Sequence, residues 1–215
     1  MENKTRAFIC ITFPDEIIKE VARIQEIISK QKFTGKLTEL ENLHLTLKFL
    51  GEIDEETLKK TKEKLKEIKF MPFKAKLEKS GTFNIKGNPK IVWLKIASKK
   101  IYAFQKQIDE TLKPFFPPEE RFMSHLTITR IKYVKDKTAF TEHIKKIKPK
   151  QLKFEIESFE LKSSELQPLG PVYSTLEEYP PKGYNATDNL STNLTPHSNS
   201  ASETKTKSPP SSNVL

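Results

Sequence analysis

The chain has 215 residues, with 38 Lys and Arg against 28 Asp and Glu. That length accommodates one domain or two small lobes. The net charge of +10 favours a polyanionic partner such as RNA, DNA or an anionic membrane surface, unless the lysines only solvate the surface. The single cysteine excludes an intrachain disulfide, and the sequence has neither a secretion signal nor an apolar segment of membrane-spanning length. We therefore expect a soluble, cytoplasmic, monomeric protein with no membrane partner.

The N-terminal part of the chain alternates between strand and helix patterns. The apolar segment 6–13 predicts a buried strand, in which Cys10 is a structural thiol rather than a nucleophile. Pro14 is typical of a helix start, and the apolar residues after it recur at helical spacing for several turns. A polar stretch follows, and residues 44–50 then alternate like a strand that ends at Gly51.

The middle and C-terminal parts continue this alternation. Asp54 is a helix cap, and a helix is expected from it to about residue 68. A turn is predicted at 86–89, and another at 168–171. Two further helices are expected at 101–112 and 138–147. The remaining predicted strands are 73–79, 91–97, 123–131, 152–161 and 172–176.

The composition changes near residue 181. Residues 181–215 are rich in Ser, Thr, Asn and Pro and contain too few apolar side chains to offset the entropy lost on ordering. We therefore expect one domain at 1–180 and a disordered tail at 181–215.

Two segments contain the tripeptide His-Leu-Thr within a strand pattern. Side chains two positions apart in a strand share a face, so His44 lies beside Thr46. In the second segment His125 shares a face with Thr127 and Thr129. The opposite faces are apolar, with Leu45, Leu47 and Phe49 in the first segment and Leu126 and Ile128 in the second.

We expect these two strands to be adjacent, with both imidazoles converging on one groove. Two such strands facing one cleft suit phosphodiester chemistry without a metal. In-line displacement at phosphorus needs a base on the entering oxygen and an acid on the leaving oxygen, which lie on opposite sides. Two imidazoles can hold these roles near neutral pH. The hydroxyls of Thr46 and Thr127 can donate hydrogen bonds to the phosphate oxygens. The alternative is an RNA-binding module without catalysis, although two His-Leu-Thr strands exceed what binding alone requires.

Other residues near the motifs leave alternatives open. Lys48 shares the His44 face by parity, so it either helps to hold phosphate or is a cation at the rim of the cleft. Phe122 either stacks on a base or anchors a loop in the core. His143 lies in a Lys-rich helical segment and is expected at the surface. No two His or Cys residues have metal-ligand spacing and no glycine-rich phosphate loop is present, so neither a metal nor a cofactor is expected.

Four segments together carry a family resemblance. They are R-A-F-I-C-I-T-F from Arg6, H-L-T-L-K-F-L-G-E-I from His44, S-H-L-T-I-T-R from Ser124, and L-K-S-S-E-L-Q-P-L-G-P-V-Y, which ends at Tyr173. In this order, over residues 6 to about 178, they resemble the 2H phosphoesterase superfamily. Within it, they are similar to the RNA 2′,3′-cyclic phosphodiesterases, formerly named 2′-5′ RNA ligases.

The resemblance implies a bilobal, duplicated α+β fold in which two antiparallel sheets line a central groove and the helices lie outside. It also implies hydrolysis of a 2′,3′-cyclic phosphate, on an RNA end or a cyclic nucleotide, to a 2′-phosphomonoester. His44 is then the proton donor and His125 the acceptor. Some members also join or cleave 2′-5′ linkages, which the sequence leaves open. The resemblance implies that Arg130 is a phosphate ligand. Strand alternation instead places its side chain on the face opposite His125, where it would form a structural ion pair.

Overall fold

The structure is a computed structural model that describes residues 4–168 and 170–181. In this part of the chain the four α-helices each coincide with a helix predicted from the sequence. They are α1 (Asp15–Ser29), α2 (Glu55–Glu67), α3 (Lys99–Leu112) and α4 (Lys137–Lys146), and a short 3-10 turn covers Leu40–Asn42. None of these helices is long and apolar enough to cross a membrane.

Local sequence explains where two of these helices begin. The Asp54 side chain accepts a hydrogen bond of 2.7 Å from the backbone N–H of Thr57 at the start of α2. Asp136 accepts the equivalent bond, of 2.9 Å, from Ala139 at the start of α4. Such caps satisfy backbone donors that the first helical turn leaves unpaired. The predicted Asp54 cap is therefore confirmed.

The described strands form two sheets in which every neighbouring pair is antiparallel. The strands are β1 (Thr5–Ile11), β2 (Phe33–Leu37), β3 (Leu45–Ile53), β4 (Phe73–Ile85), β5 (Asn88–Ala97), β6 (His125–Val134), β7 (Lys153–Ile156), β8 (Phe159–Gln167) and β9 (Gly170–Tyr179). The first sheet has the order β3-β1-β8-β9, and the second has the order β2-β6-β5-β4-β7.

The two sheets repeat one plan, which confirms the bilobal α+β fold. In the first sheet β3 pairs with β1, and α1 lies between them in the chain. In the second sheet β6 pairs with β5, and α3 lies between them. Each of these two helices packs against the sheet of the other half, since α1 contacts β6 and α3 contacts β3. Each His-Leu-Thr strand is therefore backed by the helix of the other half.

The predicted strands differ from the structure in several places, and the strand expected at 73–79 continues to Ile85 as β4. The polar stretch before His44 contains β2, a short and mostly exposed strand at the edge of the second sheet, which has little apolar periodicity. The predicted strand 152–161 divides at residues 157–158 into β7 and β8, which belong to different sheets. The first His-Leu-Thr strand does not end at Gly51, because this residue adopts a φ of 75° within β3 and the strand continues to Ile53.

Cys10 is fully buried in β1, which confirms a structural thiol. Burial raises its pKa to about 12, so the reactive thiolate is not formed near neutral pH. The division into a domain at 1–180 and a tail at 181–215 stays a prediction, because the tail lies outside the described residues apart from Pro181.

Candidate active site

His44 directly precedes β3 and follows the 3-10 turn. Its Nδ1 lies 2.8 Å from the carbonyl oxygen of Asn42, two residues earlier in the chain. Because a carbonyl can only accept a hydrogen bond, Nδ1 carries the hydrogen and donates it. This fixes the tautomer and leaves Nε2 available to another group.

His125 repeats this arrangement at the start of β6. Its Nδ1 lies 2.7 Å from the carbonyl oxygen of Met123, which is again two residues earlier. The same reasoning assigns the hydrogen to Nδ1 and leaves Nε2 available. Both histidines therefore have one tautomer and one free nitrogen, which accepts a proton when neutral and donates one when charged.

The two histidines line one cavity of about 90 Å³ together with Thr46, Thr127 and Arg130. This confirms that the imidazoles converge on one groove. The space is several times what a single water needs, so it accommodates a small group of oxygen atoms. The two His-Leu-Thr strands are adjacent in space, as expected, but they are not paired within one sheet. They lie in different sheets, because each pairs with the strand that precedes it in its own half.

A β-bulge in each His-Leu-Thr strand changes which side chains face the groove. In the pairing of β1 with β3, Cys10 is opposite Thr46 and Ile9 is opposite Lys48, so Leu47 has no partner. In the pairing of β5 with β6, the residue without a partner is Ile128. Both residues stand three positions after the histidine. A bulge inserts one residue, so side-chain alternation reverses beyond it.

The bulge in β6 explains the position of Arg130. Simple alternation places Arg130 away from the groove and Thr129 within it, but the structure shows the reverse. Thr129 is buried, whereas Arg130 is exposed and lines the cavity with the histidines. Among the described residues no carboxylate lies within ion-pair distance of Arg130. The predicted placement of Thr129 beside His125 is therefore wrong, and so is the structural ion pair.

The bulge in β3 has the same effect on Lys48 and Phe49. Lys48 is 3% exposed, and its Nζ lies 2.5 Å from Asp109 Oδ1 on α3 and 2.6 Å from the Pro117 carbonyl oxygen. Lys48 is therefore neither a phosphate ligand nor a rim cation. Phe49 is 48% exposed, rather than on the buried face of the strand.

The helices of the opposite halves contact both strands close to the bulges. The amide Nε2 of Gln25 on α1 donates hydrogen bonds to the carbonyl oxygens of Ile128, at 2.8 Å, and Thr38, at 2.7 Å.

On α3, burial alone would raise the pKa of Asp109. Hydrogen bonds from Lys48, the Glu119 backbone and Gln105 instead hold that pKa below its usual range.

The electrostatic environment of the two imidazoles is cationic. Burial is the largest cause that lowers the pKa of His44, to about 4, although its bond to Asn42 opposes the shift. Burial also lowers the pKa of His125. Nearby cations lower both pKa values further. They are Lys162, Arg130 and His125 for His44, and Lys95 and Arg130 for His125. A region of positive potential favours an anionic ligand.

Sequence reasoning missed an aromatic wall beside the histidines. The rings of Phe8 and Tyr173 lie 4.8 Å and 5.1 Å from the His44 ring, centre to centre, and Phe83 lies 4.9 Å from the His125 ring. Tyr173 lines the cavity and ends the closing segment that carries the family resemblance, so that segment was the available signal. Burial raises the pKa of Tyr173, which keeps its hydroxyl neutral.

Two other predictions concern residues outside the cavity. Phe122 packs edge-on against Tyr102, with ring centres 5.4 Å apart, and against the core, so it is the hydrophobic anchor of its loop. His143 is half-buried on α4 rather than at the surface. In the described residues no three His, Cys, Asp or Glu side chains lie close enough together to hold a metal ion.

The comparisons with known proteins agree with this geometry. A family model described as "LigT like Phosphoesterase" matches residues 11–93 and 95–173, which is most of the chain. The chain belongs to the LigT-like phosphoesterase family. This membership confirms the predicted family and the prediction of a phosphoesterase.

Relatives of this LigT-like chain come from archaea and bacteria. An RNA 2′,3′-cyclic phosphodiesterase of Methanocaldococcus jannaschii is 36% identical over 177 residues, which cover 81% of this chain and 99% of the relative. The protein of the same name from Archaeoglobus fulgidus is 33% identical, with the same coverage of both chains. The protein of that name from Thermotoga maritima is 32% identical and covers 80% of this chain and 94% of its own.

Solved structures show the same fold. A crystal structure from Thermus thermophilus has a TM-score of 0.71 and 25% identity, and the match covers 84% of this chain and all of the other. The structure of E. coli LigT complexed with 3′-AMP has a TM-score of 0.69 and 20% identity, over 84% of this chain and 99% of that protein. The second match concerns the fold alone.

Proposed function

We propose that this protein hydrolyses 2′,3′-cyclic phosphate ends of RNA to 2′-phosphomonoesters, with His44 and His125 as an acid–base pair and without a metal. One observation carries the proposal: two imidazoles, each fixed in the same tautomer by a carbonyl oxygen, line one small cationic cavity. The family and the names of the relatives from three organisms support the same reaction.

The two free Nε2 atoms divide the proton transfers between them. His125 accepts a proton from water as the water oxygen bonds to phosphorus. The bond from phosphorus to the 3′-oxygen breaks, and His44 donates its Nε2 proton to that oxygen. Each imidazole therefore ends in the opposite protonation state, and exchange with solvent restores the pair.

Neutral and charged donors hold the phosphate during this step. The hydroxyls of Thr46 and Thr127 line the cavity beside the histidines, where they donate to the non-bridging oxygens. The Arg130 guanidinium faces the same oxygens and offsets the charge that develops on them. Because each threonine is two residues after its histidine on one strand, the donor and the imidazole keep a constant separation.

The acid role of His44 depends on the substrate. In the protein alone, burial and nearby cations favour its neutral form. A phosphodiester anion between the imidazoles favours the charged form of both and so raises both pKa values. His44 therefore becomes protonated when the substrate binds. The pH profile reports the pair rather than either residue.

The proposal is tested by incubating the protein with an oligonucleotide that ends in a 2′,3′-cyclic phosphate, in the presence of a chelator. We expect a 2′-phosphomonoester, which phosphorus NMR distinguishes from the 3′-isomer, and much slower product formation with His44→Ala or His125→Ala. His143→Ala is the control, because this histidine lines neither the cavity with both histidines nor the cavity next to it.

Three outcomes would contradict parts of the proposal. A 3′-phosphomonoester would reverse the assignment of the leaving oxygen, and loss of activity in chelator would contradict the metal-free mechanism. Tight RNA binding without any product would favour a binding module. In ligation the 5′-hydroxyl of an acceptor strand takes the place of the attacking water, so joining of 2′-5′ ends is measured in parallel with such a strand.

A further inference from the structure

The side of the second sheet that carries His125 continues past the groove as a wider surface. In the pairing of β5 with β6, Lys95 is opposite His125 and Trp93 is opposite Thr127. In the pairing of β4 with β5, Gly81 is opposite Trp93. Residues opposite each other in an antiparallel pair share a face of the sheet, so the groove face of β6 extends across β5 to β4.

Two half-buried aromatic side chains lie on this surface, and we call Phe83 and Trp93 the aromatic shelf. The Phe83 ring lies 4.9 Å from the His125 ring and 5.5 Å from the Trp93 ring, centre to centre. The Trp93 ring lies against the backbone of β4, since a Cβ atom at Gly81 would be 2.4 Å from it. Its Nε1 is buried, so the exposed part of the indole is carbon.

Cations border the aromatic shelf at both ends. The Lys95 ammonium donates a hydrogen bond to the hydroxyl of Tyr102 on α3, and Arg130 is opposite Ile91 at the other end of β5. Open antiparallel sheets with exposed aromatic rings stack nucleobases, and nearby cations attract the backbone of a single strand. A second copy of this protein would carry the same charge of +10 and be repelled, so RNA is the occupant that fits.

The in-line geometry decides which part of an RNA reaches the aromatic shelf. In the proposed step the 3′-oxygen leaves on the His44 side, and the attacking oxygen enters on the His125 side. The ribose that carries the cyclic phosphate therefore lies toward the first sheet. Any group attached to the attacking oxygen lies toward the second sheet, where the Phe83 ring contacts His125. Water carries no such group, whereas the 5′-hydroxyl of a nucleoside does.

We propose that Phe83 and Trp93 bind the base of a second nucleoside, whose 5′-hydroxyl attacks the cyclic phosphate in place of water. This inference rests on the proposed function and names a second substrate for the same site. His125 accepts the proton of the 5′-hydroxyl as the 5′-oxygen bonds to phosphorus. The bond from phosphorus to the 3′-oxygen breaks, and His44 donates its proton to that oxygen. The product is a 2′-5′ phosphodiester with a free 3′-hydroxyl.

The test compares two acceptors with the same 5′-hydroxyl, cytidine and 1-O-methylribose, which has no base. The donor is cytidine 2′,3′-cyclic phosphate with a 5′-phosphate, so that it cannot act as an acceptor itself. Chromatography measures the ratio of joined to hydrolysed product at several acceptor concentrations. Both products form in one reaction, so a general loss of activity cancels in this ratio. For the wild type we expect the ratio to be about tenfold to a hundredfold higher with cytidine.

Three variants examine the aromatic shelf directly. Trp93→Ala should lower the ratio for cytidine to that for 1-O-methylribose, whereas Trp93→Phe should keep part of the preference. Gly81→Ala should act like Trp93→Ala although it retains the indole, because the added methyl group displaces the ring from the backbone of β4. Tyr133→Ala is the control, because this exposed ring stands eight residues after His125 in β6, and it should leave the ratio unchanged.

The outcomes separate this inference from the proposed function. Equal ratios for the two acceptors, or an unchanged preference in Trp93→Ala, would refute the aromatic shelf as the acceptor site. Hydrolysis without any joined product would also refute it and leave the proposed function intact. Joining that prefers cytidine, without hydrolysis, would support the shelf and refute the proposed hydrolysis. The absence of both products would refute both proposals.

Discussion

The two His-Leu-Thr strands are alike for four positions and differ from the fifth onward. In both, the histidine Nδ1 donates to the carbonyl two residues earlier, a threonine follows at the second position after the histidine, and a bulge falls at the third. The next two residues are Lys48 and Phe49 in β3, but Thr129 and Arg130 in β6. The shared positions hold the groups proposed for proton transfer, whereas the divergent ones decide what lies around them.

The two strands are also braced differently behind the groove. The neutral amide of Gln25 on α1 supports β6 at its bulge, whereas the ion pair of Lys48 with Asp109 on α3 supports β3. Asp109 also accepts from the backbone of Glu119, in the loop that leads to β6. This ion pair therefore connects the His44 strand to the approach of the His125 strand. Two nearly symmetric candidate catalytic groups are therefore supported by different interactions.

The largest expected effect tests whether the two histidines act as one unit. His44→Ala and His125→Ala should each lower kcat/KM by about 10²–10⁴, the usual span for a positioned acid or base. The double variant should lose far less than the product of the two losses, because a single acid–base pair is already disabled by one substitution. Steady-state kinetics at one pH, with unchanged melting temperatures, measures this. Full activity in either single variant would refute the two-histidine mechanism.

Removal of the Lys48–Asp109 ion pair should destabilise the fold more than removal of the Gln25 hydrogen bonds. Lys48→Met leaves the Asp109 carboxylate buried without its cation, so the free energy of unfolding should fall by about 3–5 kcal/mol. Gln25→Met removes a neutral donor and should cost about 1–3 kcal/mol. Urea unfolding of both variants measures the difference. The double variant Lys48→Met with Asp109→Asn should be more stable than Lys48→Met alone, and equal stability would contradict an uncompensated buried charge.

Protonation of His44 should make stability depend on pH. Its pKa is about 4 in the folded protein, against about 6.5 when unfolded. Between these values the unfolded chain binds more protons, so the free energy of unfolding should fall by about 2–3 kcal/mol as pH drops from 6.5 to 4. His44→Ala should lack this decrease, which unfolding curves at several pH values would reveal. His125→Ala should retain most of it, because burial, the largest cause of the low His44 pKa, remains. Parallel curves for the wild type and His44→Ala would contradict the shift.

A smaller loss of activity than that of the histidine variants is expected for the two threonines. Thr46→Val and Thr127→Val each remove one donor to a charged phosphate oxygen while keeping the shape of the side chain. We expect a loss of about 1.5–3 kcal/mol each, roughly tenfold to a hundredfold in kcat/KM. Thr129→Val is the matched control, because this buried hydroxyl has no hydrogen-bond partner among the described residues. A loss from Thr129→Val as large as from Thr127→Val would show that packing, rather than donation to phosphate, explains both.

Much of the fold was predictable because its signals are local. The four helices follow from apolar spacing and from caps such as Asp54, and the catalytic candidates follow from two copies of one tripeptide. The strand β2 was missed because its exposed residues carry no apolar pattern. The division of residues 152–161 was missed because both pieces are strands, and only their partners in different sheets separate them.

The sequence by itself determined the family, the helices, and the pairing of each histidine with a threonine on the same face. The helices and the histidine–threonine pairs depend on residues within a few positions of one another, and the family on four short segments. Only the tertiary structure decided that Arg130 and Phe49 face the groove and that Lys48 is buried. A bulge reverses side-chain alternation, and its position depends on the register of the neighbouring strand, which is remote in the chain. The common cavity likewise requires two sheets to meet, and no local pattern encodes that contact.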